Sequence, residues 1–175
     1  MLNLWNMFCE YIQISYHRLI WVILFAVVFY IGFYILSKKR SKKDIVFRAM
    51  LSMACSFVFV MTLFSRRTSE YYVTWKPFWS YYAAYKLNNI ELWLQIIMNI
   101  AMYIPVGFSL PGCFKSLKKL WKTLLIVAIC SIGVELIQYF LSIGYSDVDD
   151  VMNNILGTII GWSLYKLLNK TVETS

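Results

Sequence analysis

Five long apolar stretches follow one another along this chain of 175 residues, and they constrain its fold more than any other feature. They cover residues 19–36, 45–64, 92–114, 124–143 and 151–168. Each stretch is close to the length of about 20 apolar residues that an α-helix needs to cross a bilayer. Because lipid cannot satisfy unpaired backbone groups, such stretches cross the membrane as helices. The sequence therefore predicts an all-α integral membrane protein, one domain over 1–175, built as a bundle of about five transmembrane helices.

The composition supports this class and excludes others. The chain is 60% hydrophobic and 15% charged, with a mean hydropathy of +0.60, which is too apolar for a soluble domain of this size. A net charge of +8 could indicate nucleic-acid binding. The lysines and arginines instead lie in short segments between apolar stretches, so we expect a lipid bilayer and no nucleic acid as partner. The four cysteines follow no paired or metal-binding spacing, and we expect neither a metal nor a cofactor.

The third apolar stretch, 92–114, differs from the others because Asn99, Pro105 and Gly107 interrupt it. Proline lacks the N–H that a helix interior needs and clashes with the carbonyl four residues earlier. Broken backbone at membrane depth is tolerated only where protein or water satisfies it. We therefore expect this stretch to be a broken helix or a re-entrant segment that faces the bundle interior.

Charge predicts the orientation of the bundle. Basic residues follow the first and third stretches, at 38–43 and 115–122, and also lie in the C-terminal tail. The turn between the last two stretches has none. The excess of basic residues in cytoplasmic loops then predicts an outward N-terminus and a cytoplasmic C-terminus. Residues 1–18 read as an amphipathic helix in the interface, with no removable signal peptide. Cys9 would lie outside and Cys113 near the cytoplasmic face.

Polar residues concentrate around the acidic turn that joins the last two stretches. Glu135 and Gln138 lie within the fourth stretch, although a carboxylate near a span centre costs about 2.5–3.5 kcal/mol. Glu135 is therefore expected to face protein or water. The fifth stretch starts after Asp147 and Asp150 and contains Asn154. These residues predict a polar site at the outer end of the bundle.

Other interpretations of these residues stay open. Asp147 could only cap the last helix, and Glu135 with Gln138 could only join helices by hydrogen bonds. We place Glu135 roughly 12 Å below the outer end of its helix, level with Asn154 and Gly157. Gly157, with Gly161 four residues later, is typical of a close-packing face, and we expect it to let the last two helices approach.

The longest connection, 65–90, is crowded with aromatic residues, including Trp75, Phe78 and Trp79. One interpretation places these rings at headgroup depth in an interfacial segment. The other is an aromatic platform for a sugar or glycopeptide, with Arg66 beside it to bind an anionic group.

Several ordered blocks resemble the VanZ-like family. They are PF at 77–78, NIAMYIPVGFSL at 99–110, VELIQ at 134–138 and IGYSDVDDVMNNILGTIIG at 143–161. The residues that match the family pattern are Asn99, Pro105, Gly107, Glu135, Gln138, Asp150, Asn154, Gly157 and Gly161, with Arg66 fitting an arginine that precedes the PF block. The resemblance covers about residues 64–168. The chain departs from the pattern at Gly144, near the place where many members carry an arginine.

The resemblance implies a protein of the bacterial plasma membrane. It also implies low-level resistance to teicoplanin-type lipoglycopeptides through altered drug access or binding at the outer surface.

Two other functions compete with this one. The first is an intramembrane enzyme acting on a lipid or a lipid-linked cell-wall precursor, with Glu135 and Asp150 as acid and base. The second is a small proton-coupled transporter, since an ionisable residue and a broken helix share the membrane. The sequence contains no HExxH, GxSxG or P-loop pattern, which favours a protein that is not an enzyme. The expected partners are therefore the bilayer and either a lipoglycopeptide or a lipid-linked precursor.

Overall fold

The computed structural model describes residues 16–36, 41–64, 72–142 and 145–173. Arg66, Cys9 and most of the helix predicted over 1–18 lie outside these residues. The α-helices are α1 (Tyr16–Leu36), α2 (Lys42–Phe59), α3 (Trp79–Lys86), α4 (Ile90–Cys113), α5 (Leu120–Leu141) and α6 (Val148–Glu173). A π-helical turn, Val60–Phe64, extends α2, and a 3-10 turn, Lys115–Lys118, joins α4 to α5. Two short strands are β1 (Tyr72–Thr74) and β2 (Tyr145–Asp147).

Four helices in the described part of the chain are long and apolar enough to cross a membrane: Arg18–Leu36, Lys42–Leu63, Ile90–Cys113 and Leu120–Leu141. The sixth helix has 26 residues, but its asparagines and aspartates lower its hydropathy. The prediction of an all-α membrane bundle is confirmed. Only 11% of the apolar window of α1 is buried inside the protein, against 56% of that of α4. The fourth helix therefore lies inside the bundle and the first at its edge.

The centre of the bundle is the contact between α4 and α6. A Cβ added to Gly157 would lie 2.1 Å from the carbonyl oxygen of Ile100, and one added to Gly161 would lie 2.0 Å from that of Ile104. The two backbones therefore touch along the glycine face. Our expectation that Gly157 lets the last two helices approach is wrong, because this face packs on α4 rather than on α5.

The fourth helix continues through Pro105 and Pro111, although the sequence led us to expect a break or a re-entrant turn there. Pro105 still removes one helical hydrogen bond. The packing on α6 explains the continuity, since a Cβ on Gly107 would lie 2.3 Å from the backbone oxygen of Thr158. The helix is held along its length by its neighbour, so the loss of one hydrogen bond does not end it.

A two-stranded parallel pairing connects the aromatic segment to the acidic turn. In this pairing Val73 lies opposite Ser146, and Thr74 lies opposite Asp147. The sequence predicted only a connection over 65–90, whereas the structure has β1 and α3 within it. The pairing brings the aromatic segment beside the start of α6, at one end of the bundle.

Candidate functional site

The acidic turn folds into the protein rather than lying on its surface. Asp147, Asp149 and Asp150 are 8%, 0% and 4% exposed. We call these three residues together with Glu135 the acidic cluster. Buried carboxylates are costly unless hydrogen bonds satisfy them, so their partners decide what the cluster can do.

Asp149 fixes the start of α3. It accepts hydrogen bonds from the backbone N–H groups of Phe78, at 2.6 Å, and Ser80, at 2.8 Å. Phe78 has a φ of 62°, in the left-handed region, which costs energy for a non-glycine residue. The two charge-assisted hydrogen bonds stabilise this conformation. Asp149 therefore has a structural role, which the sequence did not reveal.

Asp147 joins three elements. Its N–H donates to Oε2 of Glu135 on α5, at 2.9 Å. Its Oδ1 accepts from the N–H of Asp149, at 3.0 Å, and its Oδ2 accepts from the Ser80 hydroxyl. Asp147 thus caps the start of α6 and also contacts Glu135, and the functional polar site stays a prediction.

Glu135 and Asn154 contact the opposite helices at neighbouring turns. Glu135 accepts from the N–H of Asp147, and Nδ2 of Asn154, farther along α6, donates to Oγ of Ser131 at 2.7 Å, four residues before Glu135 on α5. The depth predicted for Glu135 stays a prediction.

Asp150 and Gln138 point to other neighbours. Oδ1 of Asp150 accepts from Nδ2 of Asn99 on α4. Nε2 of Gln138 donates to the backbone oxygen of Thr62, at 2.9 Å, in the π-helical turn. Asn99 therefore joins the surroundings of the cluster, whereas Gln138 connects α5 to the end of α2.

Tyr81 and Asn153 extend the network and were missed at the sequence level. The Tyr81 hydroxyl donates to Oδ1 of Asn153, which is fully buried. Burial, and then the carboxylates of Asp149 and Asp150, raise the pKa of Tyr81 above its ordinary value. The phenol therefore stays protonated and able to donate. The available signal was the i, i+4 spacing of Asp149 and Asn153, which places both on one helix face.

A cavity of about 430 Å³ lies between α5, the paired strands β1 and β2, and the start of α6. We call it the Glu135 cavity. Glu135 and Asp147 form part of its wall, and Leu136, Phe140 and Trp75 form much of the apolar remainder. Leu136 and Phe140 are also exposed on the surface of α5. The cavity is therefore amphipathic and borders the face of α5 that meets lipid.

Of the three aromatic residues predicted as a platform, only Trp75 lines this cavity among the described residues. It is 73% exposed. Phe78 and Trp79 are exposed beside it on the start of α3, and the Lys76 ammonium lies 5.2 Å from the centre of the Trp79 ring. These rings suit either headgroup depth or contact with a ligand. In the described part of the chain, no group of three or more His, Cys, Asp or Glu side chains is arranged to hold a metal ion.

Comparison with known proteins shows the family of this chain and a similar protein. The family model described as VanZ/LLP1 matches residues 21–169. "Protein VanZ" of Enterococcus faecium is 37% identical over 76 residues, which are 43% of this chain and 47% of that protein. The chain thus aligns with about half the length of this relative. No solved structure matches the chain.

Proposed function

This chain belongs to the VanZ/LLP1 family, and from that premise we propose that it contributes to resistance to teicoplanin-type lipoglycopeptides. In this proposal the protein lies in the bacterial plasma membrane and alters drug access or binding at the outer surface. Its partners are the bilayer and the drug.

The Glu135 cavity is the observation that carries this proposal. A lipoglycopeptide combines a hydrocarbon chain with a head rich in hydroxyl and amine donors. Leu136 and Phe140 offer an apolar wall next to lipid, and the carboxylates of Glu135 and Asp147 offer acceptors. Trp75 provides an exposed ring at the same cavity, suited to contact with a sugar or a peptide.

The remaining predicted site residues act in this proposal by positioning. The contact of Asp150 with Asn99 holds the start of α6 on α4. The contact of Asn154 with Ser131 holds α6 on α5. Both contacts keep Asp147 beside Glu135.

Expression of the chain in a susceptible Gram-positive host tests the proposal. The minimum inhibitory concentration should rise more for teicoplanin than for vancomycin, because only the former carries a lipid tail that can use an apolar wall. Binding of labelled drug to intact cells should change in parallel, relative to cells with the empty vector. Equal shifts for the two drugs, or no shift, would contradict it.

One observation favours a second function, an intramembrane enzyme acting on a lipid-linked cell-wall precursor. Glu135 and Asp147 both line the wall of one cavity, where an acid and a base that act on the same substrate would need to lie. Asp147 would then replace Asp150 in the predicted pair, since Asp150 contacts Asn99 instead. A changed composition of extracted lipids on expression would favour the enzyme over the access function.

We propose that the end with α3 and the acidic cluster faces outward and that the C-terminus is cytoplasmic. Single cysteines in a cysteine-free background test this orientation. The side chains of Lys86, on α3, and Lys118, at the opposite end, are both exposed on the protein. In intact cells an impermeant maleimide should therefore label Lys86→Cys, which faces outward, and spare Lys118→Cys, which the membrane shields. The native Cys113 is only 1% exposed and is a poor reporter. Labelling of Lys118→Cys alone would show that the protein has the opposite orientation.

A further inference from the structure

A second amphipathic depression lies at the opposite end of the bundle from the acidic cluster. It measures about 380 Å³ and forms where the start of α2 meets α4 and the end of α6. We call it the Lys42 groove. Its lining includes Lys42, Lys43, Val46, Phe47, Phe108 and Leu168.

The floor of the groove is apolar and preformed. The Phe47 ring packs 5.9 Å from that of Phe108 and 5.7 Å from that of Tyr165, measured between ring centres. A Cβ on Gly112 would lie 2.4 Å from the Phe47 ring, so the glycine leaves the space that this ring occupies. Such aromatic packing keeps the floor in place without a ligand.

The rim of the groove is basic. Lys42 and Lys43 stand in the first turn of α2 and are exposed. No acidic side chain is among the described residues that line the groove. The nearby Asp44 is buried, and its carboxylate accepts from the N–H of Ser41 in a capping box.

We propose that the Lys42 groove binds one anionic phospholipid, with its phosphate between Lys42 and Lys43 and an acyl chain on the ring of Phe47. Basic pockets between membrane helices attract anionic head groups in this way. A zwitterionic lipid presents the same phosphate, but the two lysines repel its ammonium group. The site is separate from the Glu135 cavity and does not depend on the function proposed for it.

Native mass spectrometry of the purified full chain in mild detergent tests the proposal. The protein is titrated with phosphatidylglycerol and with phosphatidylcholine of the same acyl chains. One phosphatidylglycerol should be retained in preference to phosphatidylcholine. The double variant Lys42→Gln/Lys43→Gln should weaken its binding by roughly 25-fold, about fivefold for each lysine.

Two further variants distinguish a specific lipid site from general electrostatic attraction of anionic lipid to the protein. Lys118→Gln/Lys119→Gln removes the same charge from exposed positions outside the groove and should leave the affinity unchanged. Val46→Trp keeps both lysines and fills the groove with a larger side chain at a position that is 56% exposed, so it should also weaken binding. The proposal would be overturned if both lysine double variants lost the same affinity for phosphatidylglycerol. It would also be overturned if Val46→Trp bound the lipid like the wild type, or if the two lipids were retained equally.

Discussion

Replacing Gly157 by alanine is expected to destabilise the folded protein by about 1–3 kcal/mol, the usual cost of forcing extra volume into a packed core. The new Cβ would lie 2.1 Å from the carbonyl oxygen of Ile100. Neither atom belongs to a flexible side chain, so the backbones of α4 and α6 must move apart. Adding Gly161→Ala, which meets Ile104 in the same way, should increase the loss by less than twofold, because one separation of α4 from α6 relieves both clashes.

Gly133→Ala is the matched control for this prediction. It introduces the same methyl group in a membrane helix, but nothing lies within 4 Å of the added atom. Alanine is favoured over glycine in a helix by roughly 0.5–1 kcal/mol, so this variant should be neutral or slightly more stable. Thermal unfolding in detergent, followed by circular dichroism, compares the two. Equal midpoints for Gly157→Ala and Gly133→Ala would show that the close contact of α4 with α6 is not needed for stability.

Glu135→Gln is expected to return teicoplanin susceptibility to the level of the empty vector while the protein stays abundant in the membrane. The amide oxygen of glutamine can still accept the hydrogen bond that the N–H of Asp147 donates at 2.9 Å. The fold should therefore persist. What disappears is the carboxyl group at the wall of the Glu135 cavity, which glutamine replaces with an amide. The phenotype should be lost because a functional site that uses this carboxyl group for binding or proton transfer cannot use an amide in its place.

Glu91→Gln controls for this change. Glu91 is exposed in the first turn of α4, so the same substitution there alters only a surface charge near a helix end, worth about 0.3–1 kcal/mol. It should keep the full phenotype. Immunoblots of membrane fractions measure abundance, and inhibitory concentrations measure function. A fully active and normally abundant Glu135→Gln variant would show that Glu135 only joins helices by hydrogen bonding.

The sequence by itself determined the class of the protein and the residues of interest. Hydropathy is a local property, so the apolar stretches predicted the membrane helices without knowledge of their neighbours. The cost of burying charge in lipid marked Glu135, and the acidic turn between two apolar stretches marked Asp147 and Asp150, before any contact was known. Gly157 was likewise identified as a close-packing residue, although its partner helix was not.

The tertiary structure alone decided which of these residues meet. Asp149 binds the backbone of Phe78 from 71 positions away, and the N–H of Asp147 donates to the Glu135 carboxyl group on α5. No local pattern contains such a contact, because it depends on the path of the chain between the two residues. The continuity of α4 through Pro105 has the same origin. A proline weakens the helix locally, and packing against α6, which is distant in sequence, keeps it intact.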